Sequence, residues 1–250
     1  MTRAVLAGAG FVRREVDGTV YFEGGTGETL VFIHGADDQA GTWFTVAPAL
    51  ARTHRVLLPD LPGHGESEPH AGPIPISLIL ERLSAILANE HNLTLIGNSL
   101  GGWVALLYAL RHPQQISRLI LEASGGLNRP LASPLVARDR DEARLILRNV
   151  HGPQFQPEEW VIEALLARAA DSPMLRLTEA LEHDIEPRLG EIGAPATLIW
   201  GANDGVVPLS YAEALRDALP RATLHVLEGA AHIPHMQQPE RYLQCLTAIL

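Results

Sequence analysis

The chain has little cysteine, no long apolar run and no excess of positive charge, and each shortage removes a class of protein. A single cysteine, Cys245, among 250 residues cannot form an internal disulfide. The fold is therefore expected not to depend on oxidation, and a reducing, cytoplasmic location is expected. No stretch approaches the roughly 18 consecutive apolar residues of a membrane span. The opening "MTRAVLAGAGFVRREV" holds too few apolar residues before Arg13 and Arg14 for a secretion signal. Acidic side chains outnumber basic ones, 29 to 19, without a run of either sign. That balance argues against nucleic acid and anionic membranes as partners and leaves a small molecule. Oligomeric state is not legible, and a homodimer is left open.

What is abundant is short apolar runs that end at a glycine or an acid: "TLVFIHG", "RVLLPDLPG", "LTLIGNS", "RLILEASGG", "ATLIWGAND" and "TLHVLEGAAH". Such runs suit strands covered on both faces. Segments of helical spacing lie between most of them, including "GTWFTVAPALAR", "PISLILERLSAILANE" and "PLSYAEALRDALP". Strand and helix in alternation give a parallel sheet with right-handed crossovers. Two alternating runs around Asp17-Gly18 read as a hairpin, placed as an antiparallel edge. One connection breaks the rhythm, because about seventy residues separate "RLILEA" from "ATLIWG", more than a crossover helix needs. Its helical patches "RDEARLILRNV", "PEEWVIEALLARAA" and "MLRLTEALEHDI" predict a helical cap over 127–188, inserted into a core of 1–126 and 189–250.

In an open parallel sheet, ligands bind beyond the carboxyl ends of the strands, so residues ending the apolar runs converge there. Ser99 stands in Gly97-Asn98-Ser99-Leu100-Gly101, a G-x-S-x-G segment between a strand and a helix. The glycines allow a sharp turn that lifts the serine hydroxyl above the sheet edge. A serine is a weak nucleophile unless a base takes its proton and a third group orients that base. His232 and Asp204 end later apolar runs and complete the chain order Ser, Asp, His. Glu122, at another strand end, is the alternative acid. An oxyanion site needs two N–H donors. Leu100 supplies one by position, and Ala36, after the run "TLVFI", the other. Trp43, Trp103, Trp160 and Arg168 are candidates for the substrate pocket. No zinc-binding pattern is present, so a metal is not expected.

The motifs "FIHGADD", "LPDLPGHGES", "GNSLGG", "WGANDGVVP" and "GAAHIPHMQQPE" together resemble the α/β-hydrolase family over nearly the whole chain. The resemblance implies an α/β fold with a mostly parallel eight-stranded sheet flanked by helices and a helical cap inserted after strand six. It implies a serine hydrolase with an acyl-enzyme and neither a metal nor an organic cofactor, and it makes Asp60 and His64 supports of the site. Carboxylesterase is the favoured activity. The sequence is also similar to hydrolases that cleave carbon–carbon bonds in ring-fission products, although these carry a glycine-rich oxyanion loop and a tryptophan after the histidine, where this chain has "HGADDQAG" and Ile233. In that branch Arg168 would meet a substrate carboxylate. A ligand receptor that keeps the triad with little turnover is the reading from another class.

Overall fold

The computed structural model describes residues 2–180 and 184–250. Eight strands form the main sheet: β1 (Val12–Val16), β2 (Thr19–Gly24), β3 (Thr29–Ile33), β4 (Arg55–Pro59), β5 (Leu93–Asn98), β6 (Ile116–Glu122), β7 (Ala196–Gly201) and β8 (Ala222–Leu227). They lie in the order β1-β2-β4-β3-β5-β6-β7-β8. β1 and β2 form the expected hairpin around Asp17 and Gly18, both at positive φ, and β2 is also antiparallel to β4. The other pairings are parallel. This is an α/β-hydrolase fold with a mixed, mostly parallel sheet.

Alternation along the strands divides the core into two layers. Val31, Ile33, Leu95, Leu119, Leu121 and Leu198 point into one, with α3 (Ile76–Ile86), α4 (Leu100–Arg111) and α7 (Leu209–Ala218). Leu30, Phe32, Ile96, Ile120 and Ile199 point into the other, against α1 (Thr2–Gly8) and α8 (Pro239–Ile249). The expected helix "GTWFTVAPALAR" is two short pieces, a 3-10 turn over Ala40–Thr45 and α2 (Ala47–Leu50), broken at Val46.

Between β6 and β7 lie α5 (Arg140–His151) and α6 (Glu159–Ala169). Asp139 caps α5 by accepting the N–H groups of Asp141 and Glu142, and Ile146 and Leu147 meet Ile162 of α6 in a satellite core. The segment "MLRLTEALEHDI" departs from the helix expected of it. A 3-10 turn over Pro173–Arg176 leads into a two-residue strand, Leu177–Thr178, which pairs with Ile74–Pro75. Leu181, Glu182 and His183 of that segment lie outside the described residues. No helix among the described residues is long and apolar enough to cross a membrane.

Candidate active site

Ser99 links β5 to α4 with φ +53° and ψ −113°, a conformation costly for a residue with a side chain. Four hydrogen bonds hold it there. Its N–H donates to the Glu122 carbonyl at 2.9 Å, and its own carbonyl accepts from Gly102, Trp103 and Gly125 at 3.1–3.2 Å. Both glycines of the motif are required sterically. A Cβ at Gly97 would lie 2.3 Å from the Gly101 carbonyl oxygen, and one at Gly101 2.1 Å from that of Ile33. Leu100, the first residue of α4, has no acceptor for its N–H within the helix, which leaves that donor at the positive end of the helix dipole.

Asp204 follows β7. Its Oδ1 accepts the N–H groups of Val206 and Val207 at 2.8 and 2.9 Å, which orients Oδ2 to accept His232 Nδ1–H at 2.9 Å. The Asp204 side chain is wholly buried and that of His232 nearly so. With Nδ1–H engaged, Nε2 of His232 is the ring atom free to accept a proton. His232 is tied to the strand that leads into Ser99, since Asn98 Nδ2–H donates to the His232 carbonyl at 3.1 Å. It is also tied to α5. His232 N–H donates to the Val150 carbonyl and Gly205 N–H to that of Asn149, each at 3.1 Å. Gln237 joins the two sides, accepting Ala231 N–H at 2.7 Å and donating to the His151 carbonyl at 2.9 Å.

Ala36, Ser99, Leu100 and Trp103 share the wall of a cavity of about 390 Å³. The rest of its lining is mainly apolar, with Leu127, Leu131, Met174 and Ile185 from the connection between β6 and β7, while Asn128, Arg129 and Asp184 supply polar groups. His232 and Asp204 are not among the lining residues. Three of the pocket candidates from the sequence stand elsewhere. Trp43 is fully buried, with its ring 5.1 Å from Phe32 and 4.1 Å from His235, so it belongs to the core and not to the cavity. Trp160 is 66% exposed and donates its indole N–H to Glu158. Arg168 donates to the Asp37 carbonyl at 3.3 Å and borders a separate cavity of about 180 Å³ with Asp37 and Ser172.

In the loop after β3, His34 donates Nδ1–H to the Gly35 carbonyl and accepts Leu61 N–H at Nε2, so it is neutral with both nitrogens used. Burial pushes its pKa down. Burial, aided by the neighbouring His34, also lowers the pKa of His64 to about 4. Asp60 moves the other way. Its carboxylate accepts the N–H groups of Ala40 and Glu66, yet burial raises its pKa to about 6.

Glu122 is committed to another partner. Its carboxylate accepts both the N–H and Nδ1–H of His235, so of the two strand-end acids only Asp204 meets His232. Among the described residues no group of three or more histidines, cysteines and acids is arranged to hold a metal. Asn98, Gln237 and His235 had no local signature. Each bonds across a long sequence separation, and only the folded chain reveals its partner.

Comparison with known proteins gives a match between residues 30–244 and the model described as "Alpha/beta hydrolase family". The pimeloyl-[acyl-carrier protein] methyl ester esterase of Aeromonas hydrophila is 30% identical, over 89% of this chain and 95% of that one. The 2-hydroxy-6-oxo-6-phenylhexa-2,4-dienoate hydrolase of Burkholderia cepacia is 28% identical, over 84% of this chain and 83% of that one. Among solved structures, a membrane phospholipase A described as a bacterial virulence factor superposes with a TM-score of 0.84 at 30% identity, covering 98% of this chain and 88% of the other.

Proposed function

The chain belongs to the α/β-hydrolase family, and from that premise we propose that it is a serine esterase acting on small carboxylic esters with an apolar acyl part. The observation that carries this reading is the buried Asp204–His232 contact at 2.9 Å, tied through Asn98 to the strained turn of Ser99 at the cavity wall. Ser99 Oγ attacks the ester carbonyl while His232 Nε2 takes its proton. Asp204 holds the imidazole in the tautomer that can do so and stabilises the imidazolium that forms. The tetrahedral oxyanion is met by the N–H groups of Leu100 and Ala36. His232 then gives the proton to the departing alkoxide, which leaves an acyl group on Ser99. Water, deprotonated by the same histidine, releases the acid. Residues 127–188 act as a cap over the core of 1–126 and 189–250, and the apolar wall contributed by Leu127, Leu131 and Met174 favours an aliphatic or aromatic acyl group.

Carbon–carbon cleavage needs a site for the substrate carboxylate as well as the triad. The arginine that would serve it, Arg168, is engaged with the Asp37 carbonyl outside the main cavity, which favours the ester. The test compares p-nitrophenyl butyrate with a ring-fission dienoate. The ester is expected to give the higher kcat/KM. Ser99→Ala is expected to abolish both turnover and covalent labelling by a fluorophosphonate while the protein stays folded. A preference for the dienoate, or labelling that survives Ser99→Ala, overturns the assignment.

A further inference from the structure

The hydrolytic scheme leaves a second acid–imidazole pair unused. Glu122 and His235 both have fully buried side chains, and carboxylate and ring meet at 2.9 Å. Burying such groups is costly, and a well-packed apolar pair in the same volume is often as stable or more so. What the polar pair adds is geometry. Every polar atom of His235 is held: N–H and Nδ1–H by Glu122, Nε2 by the Thr42 hydroxyl at 3.0 Å, and the carbonyl by the Thr45 hydroxyl at 2.8 Å. Its ring lies against Trp43.

Glu122 also touches the nucleophile, because its main-chain carbonyl accepts the Ser99 N–H at 2.9 Å. One residue at the end of β6 thus grips the serine turn with its backbone and, with its side chain, the residue three positions after His232. We propose that Glu122 and His235 are positioning residues that set the distance between the Ser99 hydroxyl and His232 Nε2. This rests on the assignment of Ser99 and His232 as nucleophile and base. Neither residue of the pair lines the cavity, so the pair acts on the chemical step and not on substrate binding. A small displacement of the base is enough to be seen, since a shift of about 1 Å in a reacting group can cost on the order of 100-fold.

The test uses three variants of the full chain, with kcat and KM for p-nitrophenyl butyrate, the rate of fluorophosphonate labelling and a thermal melt measured for each. Glu122→Leu is expected to lower kcat and the labelling rate together by about tenfold or more, with KM within about twofold of the parent. Glu122→Gln keeps an oxygen acceptor for His235 and is expected to restore kcat to within about threefold of the parent. Thr42→Val, which frees only Nε2 of His235, is expected to lower kcat by about threefold to tenfold and keeps the proposal testable if Glu122→Leu does not fold. A folded Glu122→Leu or Thr42→Val with parental kcat, or a change confined to KM, overturns the inference. So does Glu122→Gln as impaired as Glu122→Leu. Ser99→Ala and His232→Ala run alongside separate the two levels: activity surviving in them refutes the triad, whereas inactivity in them with parental kcat in the pair variants refutes the pair alone.

Discussion

Asp60 and His64 occupy one buried loop, and burial moves them in opposite directions, the acid up to about 6 and the imidazole down to about 4. Their effects on stability are opposed. Between pH 4 and 6.5 the unfolded chain carries a proton on His64 that the folded chain does not, so stability rises with pH; His34, also lowered, adds to that rise. Between 3.8 and about 6 the folded chain carries a proton on Asp60 that the unfolded chain has lost, so this group makes stability fall with pH. Asp60→Asn removes the falling contribution. The dependence of unfolding free energy on pH should therefore steepen by about one proton, or about 1.4 kcal/mol per pH unit. Urea unfolding at several values between about pH 4 and 6 reads the slope directly, and parallel curves for parent and variant would remove Asp60 as the buried, protonated acid.

At the scale of elements, α5 stands out for how it ends. A helix leaves its last carbonyls without intrahelical partners, and here those of Asn149, Val150 and His151 accept from Gly205, His232 and Gln237. The negative end of the helix dipole thus lies at the His232 backbone, and in the proposed mechanism it would favour the imidazolium form of that residue. Gln237→Leu preserves bulk but removes the bonds to Ala231 N–H and the His151 carbonyl. We expect kcat for p-nitrophenyl butyrate to fall by about tenfold with little change in KM, measured on protein whose melt shows it folded. An equal loss in kcat/KM arising from KM alone would mean that Gln237 shapes the pocket and not the base. The strands were legible in the sequence because continuous apolar runs between glycines have one solution in a sheet covered on both faces, and the Asp17-Gly18 hairpin carries its own turn chemistry. The helical spacing of "MLRLTEALEHDI" misleads at its start, because Ser172 caps a 3-10 turn there and Leu177–Thr178 gains a tertiary partner in Ile74–Pro75. Ser99, Asp204 and His232 stand out as strand-end residues. Glu122 is visible in the same way, but nothing local shows that its partner is His235, 113 residues away.

Across the whole molecule, strand ends of the sheet carry Ser99, Asp204 and His232 while the connection between β6 and β7 supplies much of the cavity wall. Met174, partly buried and facing that cavity, offers a separate handle on chain length. Met174→Trp narrows the space without altering Ser99, Asp204 or His232. It should lower kcat/KM for p-nitrophenyl octanoate by about tenfold or more relative to the acetate, since each methylene denied burial forfeits about 0.8 kcal/mol. An unchanged ratio of the two esters would place the acyl chain elsewhere. The contacts of α5 bear on engineering. The two direct ties from α5 to the Asp204 and His232 loops are main chain to main chain, so almost any side chain is compatible with them, but only one height of the helix end is. A graft that exchanges the connection between β6 and β7 for a relative's, in order to change the cavity wall, will succeed or fail on whether the donor helix terminates in the same register beside Gly205 and His232, whatever residues it brings to the pocket.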